Sequence, residues 1–429
     1  MKKKVLLIFT LLMVSMTAFT ACSKEEGSKE NENEKVTLTV WSWDVALKQL
    51  EASAERFKET NPDVEFVFEE MGTEQIYAKL STGLATGDGL GDIITLEGEQ
   101  LSGYASNYPE GFLELNDIVK KDDFLPVKMG EVTVNGKVYG FPWDAGPIAM
   151  FYRTDYFEQA GVKAEEIITW EDFIEAGKKV AATCTTPSGD PVMMLPIAPT
   201  STNFYRMLLL QLGQGFFDAE GNTILNTDAS VKALNLEKKI FDSGIALSYN
   251  GWDEYEGTVA NESVATIPEA VWMIGTIKDK APQTSGKWGV MNMPAFSSGE
   301  NHGATNGGSL LAINAKTKNA EMAKKFVEFA MTDEQLLVDG FTNYGLYPSY
   351  MPVYSNAVFA QGDEFFGGQK VYQTFIEIGK VIPTINYTEN FAEALDTVGS
   401  SVTKVLLQDA DVQETVDKLQ SDLVSKFGK

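Results

Sequence analysis

Apolar and polar positions alternate over Val36-Thr37-Leu38-Thr39-Val40-Trp41-Ser42-Trp43, the period of a strand with one covered face. From Asp44, read as an N-cap, Leu47, Leu50, Ala54 and Phe57 recur at helical spacing until Asn61-Pro62 stops the pattern. Val64–Phe68 predicts a second strand, Glu74–Thr86 a second helix closed by Gly87-Asp88-Gly89, and Asp92–Leu96 a third strand. The order β-α-β-α-β predicts a parallel sheet, and ligands of such sheets sit beyond the carboxyl ends of the strands. Those ends carry Trp41, Trp43 and Asp44, then Glu69 and Glu70, then Glu97, Glu99 and Gln100.

The pattern changes near residue 135. Val134 and Val138-Tyr139 flank Asn135-Gly136, a dipeptide suited to a tight hairpin turn. Phe141-Pro142-Trp143-Asp144 and Gly146-Pro147 then interrupt any helix or central strand. The apolar run Ile148–Tyr152 reads as a buried strand. Here the chain leaves one unit for another, and small-molecule sites form preferentially at such interfaces. Beyond it, Thr169 and Asp172 form a capping box ahead of an amphipathic helix, and Asn203–Leu212 reads as a buried helix. Asp218–Leu225 is a hairpin, Asp228–Gly244 a helix, Gly251–Glu256 an aromatic-acidic loop and Val264–Trp272 a strand. Thr305–Ile313 is a glycine turn before a strand, Asn319–Met331 a helix, and the tail from Thr388 helical.

Length turns this order into architecture. At 429 residues the chain exceeds the usual size of one hydrophobic core, so two domains are expected. The start lies outside them. Lys2-Lys3-Lys4, an apolar run from Val5 to Val14, and Phe19-Thr20-Ala21-Cys22 make residues 1–21 a lipoprotein-type leader cleaved before Cys22. Residues 22–35 would be a lipidated, disordered tether, since Ser23–Lys35 contains no apolar side chain. The mature protein is then anchored to the outer face of the cell membrane without spanning it.

The formal charge of −26 excludes nucleic acid, which needs a basic footprint. With Cys22 acylated only Cys184 remains, so no intrachain disulfide is available, and Cys184 reads as a small apolar residue at a helix end. The single histidine, His302, rules out paired-histidine zinc sites and reads as a surface loop residue. No cofactor or metal is called for.

The chemistry rests on tryptophans beside acids. Pyranose C–H faces stack on flat rings while the hydroxyl rim needs fixed donors and acceptors. Trp41-Ser42-Trp43-Asp44, Trp143-Asp144, Trp252-Asp253-Glu254-Tyr255 and Glu269-Ala270-Val271-Trp272 supply both at predicted segment ends. Trp43 is ranked above Trp41, which is assigned to the core, and Trp288 is taken as structural. Glu70, Glu97, Glu99, Asn306, Gly307, Gly308 and Tyr387 complete the candidate ligand contacts, the glycines because they let backbone N–H groups approach a ligand.

Several stretches together resemble the family 1 extracellular solute-binding proteins of sugar ABC transporters, the maltose-binding-protein-like group. They are Val36–Trp43, Asn61–Val64, Gly91–Ile94, the run Gly140–Phe157, Thr169–Phe173, Gly286–Val290, Thr305–Ser309 and Ala323–Phe326, across residues 36–415. The resemblance implies an α/β, two-lobed type II periplasmic-binding-protein fold with a central ligand cleft and three hinge crossovers, near 144–147, 304–308 and 343–346. Residues 36–145 with 305–345 would form the N-terminal lobe, and 146–304 with 346–429 the C-terminal lobe. It places Trp43 at a polar ligand contact, Glu99 at an acidic sugar contact and Trp272 at a stacking aromatic. Gly146 stands where maltose binders carry a contacting Glu, so that role moves to Asp144. Trp43, Asp144 and Trp272 are expected to converge on one groove. The implied function is a monomeric substrate-binding lipoprotein that captures an oligosaccharide or other neutral sugar and delivers it to ABC permease subunits, without catalysis. A secreted glycoside hydrolase, or a binder of a peptide or polyamine, stays open as the alternative.

Overall fold

The strand Val36–Ser42 organises the first half of the chain. Its neighbours are Val64–Glu70 and Ile93–Glu97, both parallel to it, with Val36 opposite Val64 and Val40 opposite Ile93. Ser309–Ile313 then pairs antiparallel with Ile93–Glu97, and Phe141–Pro142 closes the five-stranded sheet. The parallel half is thus the predicted one, while the antiparallel half is built from chain that returns much later. This computed structural model describes residues 35–384 and 386–428. Residues 1–21, the tether to Glu34 and Cys22 therefore lie outside the described residues.

A second, three-stranded sheet places Ile148–Arg153 between Thr266–Ala270 and Trp288–Met291, antiparallel to both. Two backbone bonds, Ala265 N–H to Met193 O and Thr266 N–H to Met194 O, each 2.8 Å, link it to the segment entering the parallel pair Leu195–Ile197 and Ala246–Ser248. Ile148 and Met150 enter one core cluster with the helices Trp170–Thr183, Asn203–Gln211 and Phe391–Gln408, whereas Ala149 and Phe151 enter another on the opposite face. A strand buried on both faces needs apolar residues at every position, which explains its unbroken run.

Three crossover segments lie side by side between the sheets. Asn306 N–H donates to Gly146 O (2.8 Å), Ala145 N–H to Tyr347 O (2.8 Å) and Ser349 N–H to Trp143 O (2.8 Å). The third crossover therefore runs through Tyr347–Ser349, later than expected, because Asn343 and Tyr344 still belong to the helix Glu334–Tyr344 and Gly345 ends it in the left-handed conformation. Gly146 has no room for a side chain: a Cβ there would collide with the Asn306 carbonyl oxygen.

Local expectations mostly hold. Asn135 (φ 51°) and Gly136 (φ 79°) form the predicted turn between Thr133–Val134 and Lys137–Val138. Thr169 and Asp172 form the capping box, and Cys184 is buried where that helix ends. Other expectations fail. Trp43, not Asp44, occupies the N-cap position of the first helix, and no side chain caps it. Gly251–Glu256 is not a loop but the opening of the helix Gly251–Ala260, which Gly251 enters with φ 77°. The tail is two helices, Phe391–Gln408 and Val412–Phe427, broken at Asp409, which takes φ 56°. No helix among the described residues is long and apolar enough to cross a membrane.

Candidate functional site

The loop after Ile93–Glu97 faces two elements of the second sheet's side. Arg206, on the helix Asn203–Gln211, reaches Glu99 with Nη2 to Oε2 at 2.5 Å. One helical turn along from Glu99, Ser102 Oγ donates to the Tyr387 carbonyl (2.9 Å). These contacts enclose a cavity of about 210 Å³. Glu97, Glu99 and Glu131 line it with Asn306, Gly307 and Gly308 from one side, and Asn203, Arg206 and Tyr387 from the other.

The cavity is acidic, and each acid is held. The Tyr77 hydroxyl donates to Glu97 Oε2 at 2.6 Å. Burial raises the pKa of Glu97, with the neighbouring Glu99 adding to the rise and the Tyr77 bond opposing it. Glu131 forms a fully buried ion pair with Lys128, one turn away on the helix Pro126–Val132. Burial pushes the Glu131 carboxyl up to about 6 against the pull of Lys128. Gly307 (φ 74°) and Gly308 (φ 114°) carry the crossover past this pair, where a Cβ on Gly308 would come within 2.9 Å of Lys128 Nζ. Arg206 also lies over the Phe391 ring at 5.1 Å, and Tyr387 packs edge-on to the same ring at 4.7 Å.

Next to the glycines stands an aromatic group. Trp272 Nε1 donates to the Asn306 carbonyl (3.4 Å), and Asn306 Nδ2 donates to Glu269 Oε1 (2.9 Å). Burial pushes the Glu269 carboxyl up to about 7, although Asn306 and the Ala270 N–H both favour its charged form. Trp252 lies 5.7 Å from Trp272 between ring centroids and 5.4 Å from Tyr255. Trp252 is 48% exposed.

Glu97, Glu99, Asn306, Gly307, Gly308 and Tyr387 thus meet in one cavity, and Glu269, Trp272 and Trp252 form the adjoining aromatic group. Other expected contacts are elsewhere. Trp143 is buried to 1% exposure in the first sheet's core, with Nε1 on Gln49 Oε1 at 3.3 Å, so it is a packing residue. Asp144 accepts from the Ser309 N–H (2.7 Å) and fastens two crossovers together. Trp43 is half-buried against the first core, and Asp44 and Glu70 are exposed at the strand ends. None of the expected triple of Trp43, Asp144 and Trp272 lines this cavity. Trp41 and Trp288 are core residues, as expected. His302 is half-buried rather than superficial.

Arg206, Glu131, Asn203 and Tyr77 were not anticipated. A signal existed for Arg206: it is the one charge in Phe204-Tyr205-Arg206-Met207-Leu208-Leu209-Leu210. A lone charge in an otherwise buried helix needs a partner. Lys128 and Glu131, three apart on one short helix, carried a different signal, that of a local ion pair.

A family model described as bacterial extracellular solute-binding protein matches residues 52–367. The lactose-binding protein of Rhizobium radiobacter is 29% identical over 401 residues, covering 91% of this chain and 93% of that one. The arabinooligosaccharide-binding protein of Bacillus subtilis (strain 168) is 27% identical over 444 residues, covering 99% and 100%. Among solved structures, the ABC transporter associated binding protein from B. animalis subsp. lactis Bl-04 in complex with β-1,6-galactobiose superposes with a TM-score of 0.74 at 24% identity, covering 92% and 98%. The GacH receptor of Streptomyces glaucescens superposes with 0.75 at 19%, covering 91% and 98%. Those likenesses establish the two-lobed fold, and the matched family model, over most of the chain, establishes the kinship: the protein belongs to the bacterial extracellular solute-binding proteins.

Proposed function

We propose that the chain is the substrate-binding lipoprotein of an ABC importer and captures an oligosaccharide or other neutral sugar by closing two lobes around it. The lobes would be residues 36–145 with 305–345 and residues 146–304 with 346–429, turning about the three hydrogen-bonded crossovers. The observation that carries the reading is the cavity spanned by the Glu99–Arg206 pair, with acids and an amide on one side and Arg206 and Tyr387 on the other. Fixed donors and acceptors beside the Trp272–Trp252 group suit a molecule with hydroxyl edges and apolar faces. The named relatives that bind lactose and arabino-oligosaccharides support the same substrate class.

Membership of an extracellular solute-binding family places the protein outside the cytoplasm. Cys22 is the proposed site of the lipid anchor, the ABC permease the proposed acceptor of the loaded form, and the monomer the proposed working state. A Cys22→Ala chain should partition into the aqueous phase while the wild type follows the membrane. The family is one of solute binders, so the sugar leaves unchanged.

Thermal unfolding against a glycan panel tests the reading. A ligand at 100 times its Kd stabilises the folded form by about 2.7 kcal/mol. A panel of neutral oligosaccharides without any shift, alongside a clear shift with peptides or polyamines, refutes the sugar assignment. Product accumulating beyond the amount of protein would favour a glycoside hydrolase instead.

A further inference from the structure

We infer that the bound chain does not end at the Glu99–Arg206 pair but continues past it into an outer trough, so that the protein selects sugar chains longer than two units. This rests on the carbohydrate reading above and adds a length requirement to it.

Size is the first argument. Ligand sites for molecules of moderate size usually enclose about 300–1,000 Å³. The inner cavity, about 210 Å³, falls below that range. Directly outside lies a trough of about 840 Å³, and Glu99, Asn203 and Arg206 line both spaces. The ion pair is therefore a partition within one groove, made of two side chains 18% and 23% exposed that can each turn to a ligand hydroxyl.

The second argument is chemical. The trough runs between Thr200–Asn203 and the helix Phe391–Gln408. Asp396, Ser400, Thr403 and Lys404 project into it from successive turns of that helix. Gly399 faces Thr200 and Thr202 across the trough, where a Cβ would reach ordinary contact distance, 3.5 Å from Thr202 Cγ2. Apart from Leu395, the described lining consists of hydroxyls, two amides, charges and glycine, with no ring to stack on. Such a wall recognises a ligand by its hydroxyl rim alone, which suits further sugar units and not an apolar tail.

The test measures affinity by calorimetry for β-1,6-galacto-, arabino- and malto-oligosaccharides of two to five units. In the best-binding series, affinity should rise at least about tenfold from two units to four. Ser400→Leu, at an exposed helix position, fills the trough without adding a ring and should bring the ratio of four-unit to two-unit affinity down towards one. Asp396→Met, also exposed and one turn earlier, provides an independent second variant. Disaccharide binding by each variant doubles as its folding control. Length-independent affinity in the wild type overturns this inference and leaves the sugar reading standing. An unchanged affinity ratio in both variants also overturns it. Absence of binding in all three series overturns both.

Discussion

Glu237 offers a stability test independent of any ligand. It lies on the helix Asp228–Asp242, is 0% exposed, and neither carboxyl oxygen has a hydrogen-bond partner among the described residues. With burial as the sole cause, its pKa is pushed from 4.5 up to about 8. The folded chain holds the proton while the unfolded chain loses it above 4.5. The stability tied to Glu237 is therefore fully present below pH 4.5, declines as the pH rises, and is lost by about pH 8. At about 1.4 kcal/mol per pH unit, the penalty is about 3 kcal/mol at pH 7 and at most about 5 kcal/mol above pH 8. Glu237→Gln keeps the shape and cannot ionise. Urea unfolding of both proteins at pH 5, 7 and 9 should show the variant gaining on the wild type by about 4 kcal/mol between the extremes. The difference between the two is the diagnostic quantity, because the buried Glu131 and Glu269 also titrate within this window. A difference that stays constant with pH refutes the assignment of a buried, proton-carrying carboxyl.

Arg206→Met should open the ligand-free protein, since it removes the charged hydrogen bond to Glu99, worth about 1.5–3 kcal/mol; an unchanged radius of gyration in X-ray scattering would show that this pair does not hold the protein closed. Gly146→Ala should destabilise by about 1–3 kcal/mol through its collision with the Asn306 carbonyl. Gly275→Ala, on a helix with open space around it, should be neutral or stabilising by up to about 1 kcal/mol in the same thermal melts. Trp143→Ala should lose about 3–5 kcal/mol of stability, whereas Trp272→Ala, at the half-buried margin of two cores, should weaken sugar binding with a smaller loss of stability; reversed results would exchange the roles given to these two tryptophans.

The parallel half of the first sheet was legible because its signals are local. Each strand carries its own alternation, each helix its own stripe, and turns such as Asn135-Gly136 announce themselves in two residues. The antiparallel strands were harder, since Ser309–Ile313 finds Ile93–Glu97 only after more than two hundred residues of intervening chain. Gly251–Glu256 misled for a different reason. Helix Gly251–Ala260 starts on a left-handed glycine with no side-chain cap, so the usual starting signal is absent.

The site divides along the same line. Glycines and the asparagine of Asn306-Gly307-Gly308 could be found because backbone geometry constrains those residue types directly. Trp143 and Trp272 could not be told apart, since each is a tryptophan next to or near an acid at a segment end. Their fates are decided by partners distant in sequence: Gln49 and the returning crossovers enclose Trp143, while Trp272 sits half-buried at the margin of two cores and reaches the Asn306 carbonyl and the exposed Trp252. Arg206 and Glu99 show the limit most clearly. Neither has a local partner, and each is explained only when the fold brings together residues 107 positions apart. A half-buried charge with no neighbour of opposite sign along its own helix is itself a signal that the missing partner lies across an interface. Applied to Arg206, that rule points to a second body facing the helix Asn203–Gln211, and hence to the cleft in which this protein is proposed to hold its sugar.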